Sequence, residues 1–365
     1  MALAGLLLLA LVLAFANGSN DVSKGIATLV GSGVSNFRAA VLWGTIWTVA
    51  GGLLAAYASQ GLMATFSGKG FLDHPTGGPA FLGAVAAGAV IWVLFASRTG
   101  LPVSTTHAIA GALAGAGIVG EGVGLLHWST FGKKVALPLA LFPVISIALI
   151  YLVFPLLRRT VARAETYCLC IERLAVLSPD GVLAMSAVGS TAIVAGAERC
   201  DTSPTIAARL SLVDGLHWCS SALTSLARGL NDTPKIVALG GAASLALGIQ
   251  GFPFYAAVAV GMGAGSVIAG FRVTETLARR VTPMSPTEGF AANSVTTVLV
   301  GLASWAALPV STTHVSSGAI IGVGLHRGAR SVEWRTVRDM LLAWLVTLPV
   351  AALLGAAAFA ALSRI

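Results

Sequence analysis

Pro102-Val-Ser-Thr-Thr-His107 occurs twice in this chain: the same six residues stand at Pro309-Val-Ser-Thr-Thr-His314, 207 positions further on. A second motif keeps almost the same distance. Asn20-Asp21-x-x-Lys24 returns as Asn231-Asp232-x-x-Lys235, 211 positions further on. Two motifs repeated in order at nearly one offset mark an internal duplication of about 200 residues.

The composition says where such a chain lives. Of its 365 residues, 56% are hydrophobic and only 10% are charged, whereas a soluble domain carries about a quarter charged residues. So few charges cannot cover a water-facing surface, so most of the surface faces lipid. The 43 glycines suit close helix packing and interrupted helices. The net charge of +8 is scattered between apolar runs and forms no stripe. That argues against a nucleic-acid partner and for loop charges that set membrane orientation. Cys168, Cys170, Cys200 and Cys219 lack the C-x-x-C spacing of a zinc site and read as reduced cytosolic thiols. Met1–Ala16 is apolar without a basic start, so it reads as a retained membrane segment rather than a signal peptide.

Apolar elements long enough to cross a bilayer fall into two groups of five. The first group is Ala2–Val34, Ala39–Ala58, Pro79–Ser97, Gly100–Ile118 and Val135–Leu157. The second is Ser211–Ile249, Pro253–Phe271, Pro286–Trp305, Leu308–Leu325 and Val337–Leu362. Between them lies a polar segment. The expected fold is an all-α integral membrane protein with halves 1–157 and 211–365 and a cytoplasmic connection 158–210. An odd number of crossings per half makes the repeats inverted. With Met1 outside, 15 basic residues fall inside and four outside, Lys133 and Lys134 fitting least well. Ala2–Val34 and Ser211–Ile249 exceed the roughly 20 residues of one span. Each is expected to break at its Asn-Asp motif, with a re-entrant arm, raising ten elements to about twelve.

The motifs carry the chemistry. Carboxylates are costly at membrane depth and normally face a protein interior. The oxygens of Asn20, Asp21, Asn231 and Asp232 suit Na⁺, and the aspartates alone can carry a proton. Asn-Asp also makes a helix N-cap, but two copies at the repeat offset favour a transport site. Lys24 and Lys235, three residues after their aspartates, either neutralise them or present positive charge to an anion. Each Pro-Val-Ser-Thr-Thr-His reads as a half-helix start with proline in the first turn. Ser104, Thr105, Thr106, Ser311, Thr312 and Thr313 would then offer hydroxyls beside unpaired backbone N–H groups, an arrangement that binds oxyanions. His107 and His314 read as structural hydrogen-bonders. Gly111, Gly115, Gly117, Gly318, Gly322 and Gly324 allow close helix approach. Glu288 after Pro286 begins a helix. Trp43, Trp47, Trp92, Trp305 and Trp344 read as interfacial anchors or packing.

At these residues the chain resembles the inorganic phosphate transporter family, the PiT-type carriers. The match rests on Asn17-Gly-Ser-Asn-Asp21, Gly229-Leu-Asn-Asp-Thr-Pro-Lys235 and both Pro-Val-Ser-Thr-Thr-His segments. The resemblance implies an inverted-repeat fold of about twelve segments and Na⁺- or H⁺-coupled phosphate uptake; the compact chain is expected in the plasma membrane. It also implies that Asn20, Asp21, Asn231 and Asp232 serve coupling ion and substrate, and that the six Ser and Thr residues line the anion site. No cofactor beyond Na⁺ is implied. Two positions depart from the family pattern: Lys24 where Asn is usual, and Asn293 where an acidic residue is frequent. Both make the site less negative, which bears directly on Na⁺ coupling. A sulfate or other small-oxyanion permease on the same scaffold is the alternative, and an anion channel is another. No nucleophile–base constellation supports an enzyme. A homo-oligomer is compatible with all of these.

Overall fold

The structure is a computed structural model that describes residues 2–58, 61, 63, 66, 78–161, 167–177, 183–196 and 206–364. Twelve helices of nine residues or more dominate the described residues. In the first half they are α1 (Ala2–Asp21), α2 (Ser23–Gly31), α3 (Phe37–Ala58), α4 (Pro79–Thr99), α5 (Thr105–Glu121) and α6 (Leu137–Val161). In the second half they are α7 (Leu212–Ala246), α8 (Phe252–Ala269), α9 (Phe271–Arg279), α10 (Pro286–Trp305), α11 (Thr312–Arg327) and α12 (Trp334–Leu362).

Six stretches among the described residues are long and apolar enough to cross a membrane: α1 with α2, α3, α4, α6 from Ala140, α8 and α12. The motif-bearing α5 and α11 are short, at 17 and 16 residues, and α7 and α10 carry polar residues that dilute their apolar character. The surface confirms the lipid setting. Leu152, Leu345 and Leu353 point outward while Asn, Asp and Lys side chains fill the interior, the inverse of a water-soluble protein.

The two halves pack reciprocally. α1 lies on α8, and α7 lies on the corresponding α3. Likewise α5 leans on α12 of the other half and α11 leans on α6. Glycines permit these approaches. A Cβ on Gly115 would lie 1.9 Å from the Ala352 carbonyl oxygen, and one on Gly318 would lie 2.7 Å from the Pro143 oxygen.

The expected breaks in the first elements are only partly present. α1 and α2 are separated by Val22 alone, itself helical, where Gly25 N–H bonds to the Val22 carbonyl in a tightened turn. α7 runs unbroken for 35 residues through Asn231-Asp232, with Pro234 inside it. That proline removes one backbone donor and leaves the rest of the ladder in place.

The true interruptions lie before α5 and α11. α4 ends at Gly100 in the left-handed region, φ 77, and the chain then runs extended to Ser104. α10 ends the same way at Ala307, φ 53, the one non-glycine residue with positive φ among those described. The closing hydrogen bonds match: Leu101 N–H to Ala96 O, and Leu308 N–H to Ala303 O, each 2.9 Å.

Between α6 and α7 the chain forms a three-stranded antiparallel sheet ordered β2-β1-β3, from β1 (Tyr167–Leu177), β2 (Leu183–Gly196) and β3 (Ile206–Ser211). In sequence this stretch reads as a polar connection because it lacks a bilayer-length apolar run, although β1 and β2 are largely apolar. Cys170 is disulfide-bonded, which corrects the expectation of a reduced thiol there. Cys219 is a thiol, and Cys200 lies outside the described residues.

Candidate functional site

Both half-helices begin where hydroxyls cap them. Ser104 Oγ accepts from His107 N–H at 3.2 Å and Ser311 Oγ accepts from His314 N–H at 3.1 Å. α5 and α11 thus start at Thr105 and Thr312. Pro102 and Pro309 lie two residues before the caps, outside the first turn where they were expected. The two starts meet: the rings of His107 and His314 lie with centroids 4.4 Å apart, tilted 47° to each other. Thr106 Oγ1 donates to Val310 O at 3.3 Å and Thr313 Oγ1 donates to Val103 O at 2.8 Å, a reciprocal pair across the halves. Trp344, expected as an anchor or packing residue, is buried here. Its Nε1 donates to Pro102 O at 2.9 Å, holding the extended approach to α5.

The Asn-Asp motifs close on the same place. Asn20 Oδ1 accepts from Val103 N–H at 3.2 Å, and Asn20 Nδ2 donates to Leu101 O at 3.0 Å. Asn231 Nδ2 donates to Val310 O at 3.2 Å. Each asparagine therefore fixes the strand leading into its own half-helix. Asp21 is flanked from both halves: Thr105 Oγ1 donates to Oδ2 at 3.0 Å, and Thr313 Oγ1, whose proton goes to Val103 O, lies 3.4 Å from Oδ1. Asn20, Asp21, Lys24, Ser104, Thr105, Thr106, Asn231, Asp232, Lys235, Ser311, Thr312 and Thr313 are all at most 4% exposed. Within this set, Thr312 occupies the first position of α11.

The lysines are bound to their aspartates, Lys24 Nζ 2.8 Å from Asp21 Oδ1 and Lys235 Nζ 3.0 Å from Asp232 Oδ1. Beyond that they differ. Lys24 turns back on its own motif, to Asn20 O at 2.7 Å and Asn20 Oδ1 at 2.8 Å. Lys235 reaches Thr106 Oγ1 at 2.7 Å and Val310 O at 3.1 Å.

Two residues of the cluster had no role assigned from sequence. Asn17 Nδ2 lies 2.6 Å from Asp21 Oδ2, 3.2 Å from Asp232 Oδ2 and 3.1 Å from Thr105 Oγ1. It bridges the two carboxylates, and its own Oδ1 is buried without a partner. At the repeat offset its counterpart is Arg228, 1% exposed. Arg228 Nη2 donates to Thr48 Oγ1 at 2.7 Å, while Nε and Nη1 have no partner. The available signal was position: each lies four residues before its aspartate, one helical turn away on the same face. An unpaired buried donor costs roughly 1–3 kcal/mol, and more when charged.

A model of the phosphate transporter family matches residues 17–355. The chain belongs to that family. It is a multi-pass membrane transporter of the phosphate class and not an enzyme. The chloroplastic inorganic phosphate transporter 2-1 of Arabidopsis thaliana is 30% identical over 96% of this chain and 70% of its own. A Rhizobium meliloti protein named "Probable low-affinity inorganic phosphate transporter" is 28% identical over 97% of this chain and 94% of its own. Among solved structures, one titled "The sodium-dependent phosphate transporter" has the same fold, with a TM-score of 0.79 at 22% identity, covering 100% of this chain and 99% of that one.

Proposed function

We propose that this family member is a secondary carrier that moves inorganic phosphate across the plasma membrane together with a cation, H⁺ in preference to Na⁺. One observation carries the proposal: hydroxyls at both half-helix starts and both Asn-Asp motifs converge in one buried polar cluster, with Asp21 accepting from Thr105 of one half and lying 3.4 Å from Thr313 Oγ1 of the other. Helix starts bearing free N–H groups and hydroxyls bind oxyanions without formal charge. Ser104, Thr105, Thr106, Ser311, Thr312 and Thr313 take the anion, with Lys24 and Lys235 as its positive charges. Asn20, Asp21, Asn231 and Asp232 take the coupling ion. The repeated motifs, the 15-to-4 basic bias and the reciprocal packing support an inverted repeat of 1–157 against 211–365. Alternating access then comes from one bundle moving against the other around the site.

The lysines favour the proton. The solved relative is named as sodium-dependent. Here each carboxylate already holds an ammonium, at 2.8 and 3.0 Å, and a Na⁺ ion would have to enter beside a like charge. A proton on Asp21 or Asp232 instead loosens the carboxylate's hold and frees the ammonium for the anion. The proton leaves from the same oxygen on the far side, and the lysine returns.

Purified protein in liposomes tests this with labelled phosphate and sulfate, varying pH and Na⁺ gradients separately. The expected result is saturable phosphate uptake driven by inward protons at zero Na⁺. Uptake of neither anion under any gradient defeats the carrier reading. Sulfate flux alone favours the oxyanion permease, and uptake that requires Na⁺ overturns the choice of proton.

A further inference from the structure

We propose that Arg228 is an anion-binding residue of this site: its guanidinium contacts the oxyanion directly while the carrier is loaded. The inference rests on the carrier function proposed above and adds a residue to it.

Three independent observations support it. The first is position. Arg228, Asn231, Asp232 and Lys235 are spaced three, four and seven residues apart on one continuous helix, so they share a face. The repeat counterpart of Arg228 is Asn17, whose amide touches Asp21, Asp232 and Thr105 at the centre of the cluster. The second is hydrogen bonding. Thr48 orients one end of the guanidinium, yet Nε and Nη1, which carry three of its five N–H groups, are buried without a partner. The third is charge. Both carboxylates are already paired with lysines, and Glu288, the remaining buried carboxylate among the described residues, is paired with Arg327. The cluster therefore holds Lys24, Arg228 and Lys235 against Asp21 and Asp232. That single positive excess belongs to the one cation with unused donors. A tetrahedral oxyanion supplies both missing things, negative charge and acceptor oxygens. Arginine's planar fork suits it better than a point charge does.

The test compares wild type, R228K and R228Q in liposomes, reading KM and Vmax for labelled phosphate, with a thermal melt of each purified protein. R228Q can keep the bond to Thr48 but loses the charge. Its KM should rise roughly tenfold to a hundredfold, the usual effect of removing a hydrogen bond to a charged group. R228K should show a smaller rise in KM. If R228Q is not recovered folded, R228K decides alone. A KM unchanged from wild type in a folded variant, with only Vmax or the melting temperature lowered, overturns the inference and makes Arg228 a packing residue. Wild-type liposomes that take up no phosphate overturn the underlying carrier reading instead, an outcome visible before any variant is measured.

Discussion

Lys235 Nζ lies 2.7 Å from Thr106 Oγ1, so the ammonium of the second Asn-Asp motif is tied to the half-helix start of the first half. Lys24 makes no matching reach in what is described of it; it is held by Asn20 and Asp21 of its own motif. The duplicated site is therefore unequal. One lysine couples the halves and the other closes a local ring.

That inequality predicts different costs. Removing Lys235 strands Asp232 in the interior, and breaking a buried pair of this kind costs about 3–5 kcal/mol. K235M should lower stability by that order in a thermal melt and abolish phosphate uptake. Adding D232N should restore most of the stability and none of the transport. Uptake by the double variant at the wild-type rate would show that the pair has no transport role.

Ala307 offers a gain. Its φ of 53 is a left-handed conformation that costs a residue with a Cβ about 1–2 kcal/mol, whereas its counterpart Gly100 adopts φ 77 freely. A307G should raise the melting temperature, with a net gain of about 0.5–1 kcal/mol after glycine's greater chain entropy. G100A should lower it.

Caps at the two half-helices should respond alike. S104A and S311A each remove the oxygen that accepts from the third residue on, a loss of about 1 kcal/mol. If these starts hold the anion, both variants also raise the phosphate KM. A KM change in one alone would place the substrate on one side of the cluster.

Helix spacing is set by backbone rather than by side chains. A methyl on Gly115 would sit 1.9 Å from Ala352 O, a carbonyl of α12 that cannot swing aside. G115A should therefore force α5 from α12 and cost at least about 2 kcal/mol, by the logic of overpacked interiors. Gly132, helical and with nothing within 4 Å, should accept alanine with a small gain of about 0.4–1 kcal/mol in the melt.

Much of this was legible before the coordinates, for reasons that differ by residue. Pro286–Trp305 was bounded correctly because Pro286 follows Ser285 and Glu288 completes a reciprocal cap, a local signal that needs no tertiary help. The half-helix starts were legible from their hydroxyls, with the boundary shifted because serine, not proline, makes the cap. The break expected in α7 was wrong. Excess length looked like two pieces, but a membrane helix tolerates Pro234 when its neighbours pack around the gap. Asn17 heads the Asn17-Gly-Ser-Asn-Asp21 motif and yet, like Arg228, had no role assigned, because both stand one turn before the repeated Asn-Asp-x-x-Lys pattern. Their meaning appears only when α1 and α7 are brought together. The sheet was missed because its short apolar runs sit among arginines and are too brief to span a bilayer, so the segment read as a connection, although Tyr167, Leu169 and Ile171 alternate exposed with buried Cys168 and Cys170.

The central claim is that one oxyanion sits between the starts of α5 and α11. Arsenate carries the shape and charge of phosphate and an anomalous X-ray signal, so crystals soaked in it locate the anion directly. A single arsenic peak is expected within hydrogen-bond distance of hydroxyls from both Ser-Thr-Thr triplets. A peak contacting only one triplet, or lying away from both, would contradict the claim.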